Sequence, residues 1–209
     1  MAGFFLTFEG IEGSGKTTQC TAVAKALLAG GRDVVLAREP GGTGIGEQIR
    51  ATLLDRKNDA IAPLTELLLY VAARAQLVFE AVRPALEAGK IVVCDRYGDA
   101  SAAYQGGARG LGIPLVQELN RIATGGLTPH LTVLLDLPAS EGLARMRVRS
   151  GGRADRLESE PVAFHERVRA AYLELAAGET DRFLVLDSRR PTDELTRTIL
   201  GAVGERLGG

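Results

Sequence analysis

The 209-residue sequence is 45% hydrophobic and 24% charged, the balance of a soluble globular protein able to bury about 70% of its unfolded surface as one domain, residues 1–209. Its formal net charge of −1 excludes the global basic field that dominates nucleic-acid binding, so small partners and no nucleic acid are expected. Cys20, Cys94, His130 and His165 are too few and too scattered for a metal centre or a disulfide framework, and they suit reduced core thiols in a cytoplasmic protein.

The first apolar run predicts a short strand over residues 4–8, interrupted by Glu9 and too short for a signal peptide or a membrane span. A helix is predicted over 16–29, and further apolar runs at 34–37, 91–94, 131–135 and 183–186 read as strands buried on both faces. Between and after them, helical patterns cover 46–54, 63–88, 114–123, 139–149, 161–177 and 192–206. This alternation predicts a three-layer α/β fold, a doubly wound five-stranded parallel sheet with helices on both faces. The segment "RSGGRADR", rich in glycine and arginine, reads as a mobile loop between two helices.

Between the first strand and the first helix lies "GIEGSGKT", which matches GxxxxGK[ST] in full. Gly10, Ile11, Glu12, Gly13, Ser14 and Gly15 supply a tight turn whose backbone N–H groups can close around a β-phosphate. Lys16 then reaches the β/γ oxygens, Thr17 can ligate Mg²⁺, and Thr18 continues into the helix. ATP and Mg²⁺ are the expected cofactors. Asp95, closing a predicted central strand, is placed to support the metal.

A phosphate loop alone does not separate a switch, a binding module and a kinase. "DRYG" at 95–98 satisfies the DxxG pattern of a GTPase, but none of the four lysines follows an asparagine, so the Asn-Lys-x-Asp guanine reader is missing. The 21 arginines point elsewhere. Arg38 and Arg96 each stand just beyond a predicted buried strand, where an open parallel sheet forms its ligand crevice, and planar guanidinium forks there suit an acceptor phosphate. A surface salt bridge is the plain alternative for each arginine taken singly.

The stretches "FEGIEGSGKTTQ", "REPGGT", "YVAARAQ", "CDRYGDASAAYQGG" and "ADRLE" together resemble the bacterial thymidylate kinases, over nearly the whole chain. The resemblance implies the nucleoside-monophosphate kinase fold, transfer of the γ-phosphate of ATP to thymidine 5′-monophosphate (dTMP) with Mg²⁺, and a homodimer. It implies that Arg38 and Arg96 clamp the acceptor phosphate, with Pro40 beside them, that Asp95 supports the metal or the attacking phosphate oxygen, and that Glu12 sits near the acceptor sugar and phosphate. Tyr70 and Arg74, four residues apart, share a helix face, and the resemblance makes them the base readers. Tyr70 stacks on thymine and Arg74 donates to its O4, which suits a carbonyl and rejects the cytosine amino group. Ser101, Tyr104 and Gln105 match a following helix that lines the nucleoside. Ser101 departs from the threonine or asparagine frequent there.

Members of this family carry a catalytic arginine either in the phosphate loop or in a lid. Ile11, Glu12 and Ser14 are not basic, so this chain resembles the lid type, with the lid around residues 149–157. Arg153, then Arg149, then Arg156 are the candidates, Arg156 last because it can equally form a local ion pair with Asp155.

Overall fold

The computed structural model describes residues 3–151 and 154–208. Five parallel strands, β1 (Phe4–Glu9), β2 (Val34–Arg38), β3 (Ile91–Asp95), β4 (Leu131–Asp136) and β5 (Phe183–Asp187), form one sheet in the order β2-β3-β1-β4-β5. Helices α1 (Lys16–Ala29) and α9 (Thr192–Gly208) cover one face. There Phe4, Leu6 and Phe8 of β1 pack with Cys20 and Val23 of α1 and Ile199 and Val203 of α9. Phe5, from the opposite face of the same strand, packs with Leu77, Val82 and Tyr97. Such two-sided burial explains why the strands read as continuous apolar runs rather than as alternating ones.

Each strand runs one residue past its predicted end, and the added residues are Glu9, Arg38, Asp95, Asp136 and Asp187. The apolar pattern stops where the core stops, while ladder pairing continues, as in Arg38 opposite Asp95 and Asp136 opposite Asp187. Every strand therefore delivers a charged side chain to the carboxyl edge, where ligands of such sheets bind.

Two helical segments depart from the expected pattern. The stretch 63–88 divides into α3 (Pro63–Leu77), a π-helical turn (Val78–Val82) and α4 (Arg83–Glu87). Pro84 cannot donate to the preceding turn, and a wider turn accommodates the missing bond. Apolar periodicity assigns nothing to residues 98–108, yet they form α5 (Gly98–Ser101) and a second π-helical stretch (Ala102–Ala108). Close packing drives that segment: a Cβ on Gly107 would stand 2.6 Å from Ala171 Cβ, so its small residues serve contact rather than propensity. The remaining helices are α2 (Gly44–Leu54), α6 (Ile113–Thr124), α7 (Ala139–Ser150) and α8 (Val162–Gly178).

Candidate active site

The loop between β1 and α1 sits at the centre of the carboxyl edge. Gly15 caps α1 with φ 86° and no side-chain cap, so the first N–H groups of the helix remain available to an anion. Lys16 is buried, its Nζ donating to Ile11 O at 2.6 Å and to Ser14 Oγ at 3.4 Å. Burial and the nearby Arg96 lower its pKa to about 8, against the opposing pull of Glu12, Asp95 and Glu9. Thr17 Oγ1 donates to Asp95 Oδ2 at 2.5 Å. Two neighbours brace the loop from outside: Ser188 Oγ donates to Ser14 O at 2.7 Å, and Gly13 lies so close to α7 that a Cβ there would stand 2.0 Å from Gly142 O.

A cleft of about 280 Å³ opens beside this loop, lined by Glu12, Gly13, Gly15, Lys16, Thr17 and Thr18 and, across from them, by residues of five other segments. Gly10, Ile11 and Ser14 shape the loop without lining the cleft: Ile11 packs into the core, and Gly10 O accepts from Arg96.

Arg96 occupies left-handed backbone space at φ 71°, a conformation that costs a non-glycine residue about 1–2 kcal/mol. Contacts from three segments hold it there. Its Nη2 donates to Glu12 Oε1 at 2.7 Å and to the Tyr104 hydroxyl at 3.2 Å, and its Nη1 reaches Gly10 O at 3.2 Å and the Tyr172 hydroxyl at 3.4 Å. The Tyr104 hydroxyl lies 2.7 and 2.6 Å from the two Glu12 oxygens, and His165 Nδ1 is 3.2 Å from Glu12 Oε2. Burial opposes the charge on Glu12, but Arg96, His165, Lys16 and Tyr104 outweigh it and hold the carboxyl far below its ordinary range.

Glu9, three residues earlier, has the opposite character. Fully buried, it accepts from Tyr97 N and the Tyr172 hydroxyl, each at 2.7 Å. Burial and the nearby Asp99 push its pKa up to about 8, despite Arg96, Tyr172 and the Tyr97 N–H.

The outer wall of the cleft carries Arg38, Pro40, Tyr70, Ser101, Tyr104 and Gln105 together. Arg38 is half exposed and paired with Glu47 at 2.8 Å, and the Glu39–Pro40 peptide is cis. Arg74 does not line the cleft. Its guanidinium is completely buried, bonded to Glu39 Oε2 at 2.8 Å, Asn120 Oδ1 at 2.6 Å, Tyr97 O at 3.0 Å and Ser101 Oγ at 3.1 Å. Shared helix spacing therefore places Tyr70 on the cleft and Arg74 against Ser101, which lines it.

The lid arginines separate in the same way. Arg149 lines the cleft with its side chain 64% exposed, its Nη2 3.6 Å from Glu158 Oε1. Arg153 lies outside the described residues. Arg156 is buried and faces away from the cleft: its Nη1 pairs with Glu66 at 2.6 Å, and its Nε donates to Leu53 O at 2.8 Å. The expected local partner Asp155 instead accepts from Glu158 N at 2.8 Å.

Sequence reasoning missed Glu9, Glu66, His165 and Tyr172. A carboxylate closing an apolar strand was the available sign for Glu9. His165 and Tyr172 are seven residues apart, on one face of α8 with Val168 between them, so two polar side chains on a buried stripe were visible in principle.

Among the described residues no three His, Cys, Asp or Glu side chains cluster as a metal cage, and no helix is long and apolar enough to cross a membrane. A family model described as thymidylate kinase matches residues 8–199. Thymidylate kinase of Deinococcus radiodurans is 53% identical over 204 residues, covering 98% of each chain. That of Geobacter sp. strain M21 is 53% identical over 209 residues, covering 98% of this chain and 93% of the relative. Among solved structures, the thymidylate kinase of Ehrlichia chaffeensis superposes with a TM-score of 0.78 at 31% identity, covering 97% of this chain and 99% of that one.

Proposed function

The chain belongs to the thymidylate kinase family, whose members transfer the γ-phosphate of ATP to dTMP to give dTDP, and from that premise we propose how its own residues divide the work. The loop from Gly10 to Thr18 takes the ATP phosphates, with Lys16 as the charged contact. The observation that carries the acceptor assignment is the joining of Arg96, Glu12 and Tyr104 beside Lys16 in one cleft. A phosphate donor and a phosphate acceptor held there meet across the loop, with Arg38 and Arg96 as the cations for the acceptor.

The pair Thr17 and Asp95, a hydroxyl bonded to a carboxylate, suits Mg²⁺, which takes one or two protein oxygens and completes its shell with phosphate oxygens and water. Bound Mg²⁺ would supply charge neutralisation at the phosphates. Tyr70 and Pro40 line the acceptor side, and Arg74 acts on base choice from its contact with Ser101. A guanidinium can only donate, so Arg74 occupies a lone pair of Ser101 Oγ and leaves the Ser101 O–H to donate to an acceptor atom such as O4 of thymine rather than to an amino group.

The lid supplies the remaining cation. Transfer spreads charge over the equatorial oxygens of the γ-phosphoryl group, and no phosphate-loop residue other than Lys16 is basic. Arg149 and Arg153 are the arginines assigned to it, whereas the burial of Arg156 supports an anchoring role. A lid that closes over both nucleotides also excludes water and limits ATP hydrolysis.

A homodimer is supported by exposed apolar side chains on neighbouring elements: Leu64 and Leu68 of α3, Phe79 after it, and Leu115 and Ile122 of α6. Sedimentation of the wild type and of Phe79→Glu tests this, with a dimer expected only for the first. Free Cys20 and Cys94 and two intracellular nucleotide substrates support a cytoplasmic setting. The catalytic reading is tested by coupled measurement of ADP release with dTMP and ATP. Wild-type turnover that Lys16→Ala abolishes supports it, and a variant keeping more than about a tenth of wild-type kcat contradicts the assigned role.

A further inference from the structure

One buried carboxylate joins the acceptor wall to the root of the lid. Glu66, in the first turn of α3, is 1% exposed. Its Oε1 accepts from Gln105 Nε2 at 2.8 Å and from Arg109 Nε at 3.3 Å. Its Oε2 accepts from Arg109 Nη2 at 3.3 Å and pairs with Arg156 Nη1 at 2.6 Å. Gln105 lines the cleft, and so do Asp155, Leu157 and Glu158 on either side of Arg156.

The chemistry of these partners makes the charge on Glu66 necessary. A carboxylate only accepts, so it holds the Gln105 amide by its NH₂ end and leaves the amide oxygen for a donor on the acceptor nucleoside. Two guanidiniums converge on the same group, and a neutral replacement would leave buried Arg156 without a counter-charge. Burial opposes ionisation of Glu66, but Gln105, Arg109 and Arg156 outweigh it and keep the carboxyl below its ordinary range. Backbone contacts complete the anchor: Arg156 N donates to Leu54 O at 3.3 Å, and Leu54 also lines the cleft.

We propose that Glu66 is a positioning residue of the transfer reaction, setting Gln105 against the acceptor nucleotide and tying lid closure to acceptor occupancy through Arg156. The proposal rests on the reading of this cleft as the dTMP site. Glu66 touches no reacting atom, and its effect passes through Gln105 on one side and the lid root on the other.

The test compares Glu66→Gln, Gln105→Ala and the double variant, each confirmed folded by its melting transition, measuring ADP and dTDP in parallel. For Glu66→Gln the expected result is a dTMP KM raised about tenfold with the ATP KM within about twofold, and ADP formed in excess of dTDP. In the double variant the dTMP KM should rise no further than in the worse single variant, because both changes act on one contact. Glu66→Asp keeps the charge and should restore one-to-one coupling of ADP and dTDP. It carries the same comparison against wild type and Gln105→Ala, with a raised dTMP KM from its shorter reach, should the glutamine variant not fold. A lowered melting temperature with wild-type dTMP KM and coupling would overturn the proposal, as would KM effects that multiply independently. Wild-type protein inactive on dTMP would instead overturn the reading of the cleft itself.

Discussion

The two sides of the cleft are built on different principles. The phosphate side is one run, Gly10 to Thr18, in which backbone N–H groups, the Lys16 ammonium and the Thr17 hydroxyl are assigned to ATP and its metal, braced by single contacts from Ser188 and Gly142. On the acceptor side, Arg96 follows β3, Tyr104 stands on a π-helical stretch, His165 and Tyr172 on α8, and Tyr70 and Arg74 on α3. Its own side chains bond one another across up to 163 residues of sequence, as between Glu9 and Tyr172, whereas the long-range Ser188 bond on the phosphate side only braces the loop backbone. Grip on ATP is thus a local property, and grip on the acceptor is a property of the assembled fold. Damage to the first should fall on rate with folding intact, while damage to the second should fall on acceptor KM and on stability together.

The largest separation is expected from Lys16→Ala. Both of its contacts lie within its own loop, so kcat should drop by a factor on the order of 10² to 10³ while the melting temperature stays near wild type. The coupled ADP assay and a thermal melt check the two halves. Next come the lid variants. Alanine at whichever of Arg149 or Arg153 serves the γ-phosphate should lower kcat about 10²-fold or more with the dTMP KM much less changed. Arg156→Ala should instead destabilise the fold by about 1–3 kcal/mol, because it takes one of two guanidiniums from the buried Glu66 charge and the donor from Leu53 O. Steady-state kinetics and denaturant unfolding separate these outcomes, and kcat within about threefold of wild type for Arg149→Ala and Arg153→Ala would reduce the lid to a cover.

A smaller effect should come from Gly142→Ala, whose Cβ would stand 2.4 Å from Glu12 O. Overpacking of this kind costs about 1–3 kcal/mol, and here the loop must shift, so the ATP KM should rise by more than the dTMP KM. The smallest expected effect is the pH response of Glu9. Its pKa stands at about 8 in the folded protein against an ordinary 4.5, so the folded state favours the protonated form. That contribution is complete below pH 4.5 and is lost as pH rises through about 8. Melting temperatures of wild type and Glu9→Gln, followed across this window, should diverge towards alkaline pH, with the variant gaining relative stability. Parallel curves would remove the buried neutral carboxyl from the account.

Legibility followed the same division. The sheet was readable because strands buried on both faces are short apolar runs, and the phosphate loop because its groups are consecutive. Strand ends were missed by one residue each, since apolar pattern records the core and not the ladder. Residues 98–108 escaped periodicity because their glycines and alanines serve close packing against α8. Family resemblance named Arg38, Tyr70, Ser101, Tyr104 and Gln105, which the fold brings to the cleft, but spacing could not show that Arg74 turns to Glu39 and Ser101. Nor could it show that Arg156 turns to Glu66, because both partners lie far away in sequence. Glu9 and Glu12 make the point most plainly: three residues apart and both buried, they shift in opposite directions because Asp99 adds to burial at Glu9, while Arg96, His165, Lys16 and Tyr104 outweigh burial at Glu12.

The most direct test of the account is acceptor choice, because it reads out the assembled wall rather than the phosphate loop. With saturating ATP, kcat/KM should be highest for dTMP, lower for dUMP by about 1–3 kcal/mol for the missing methyl, and lower still for dCMP, which puts an amino group in place of the O4 acceptor for the Ser101 hydroxyl held by Arg74. Comparable kcat/KM for dCMP and dTMP would contradict it.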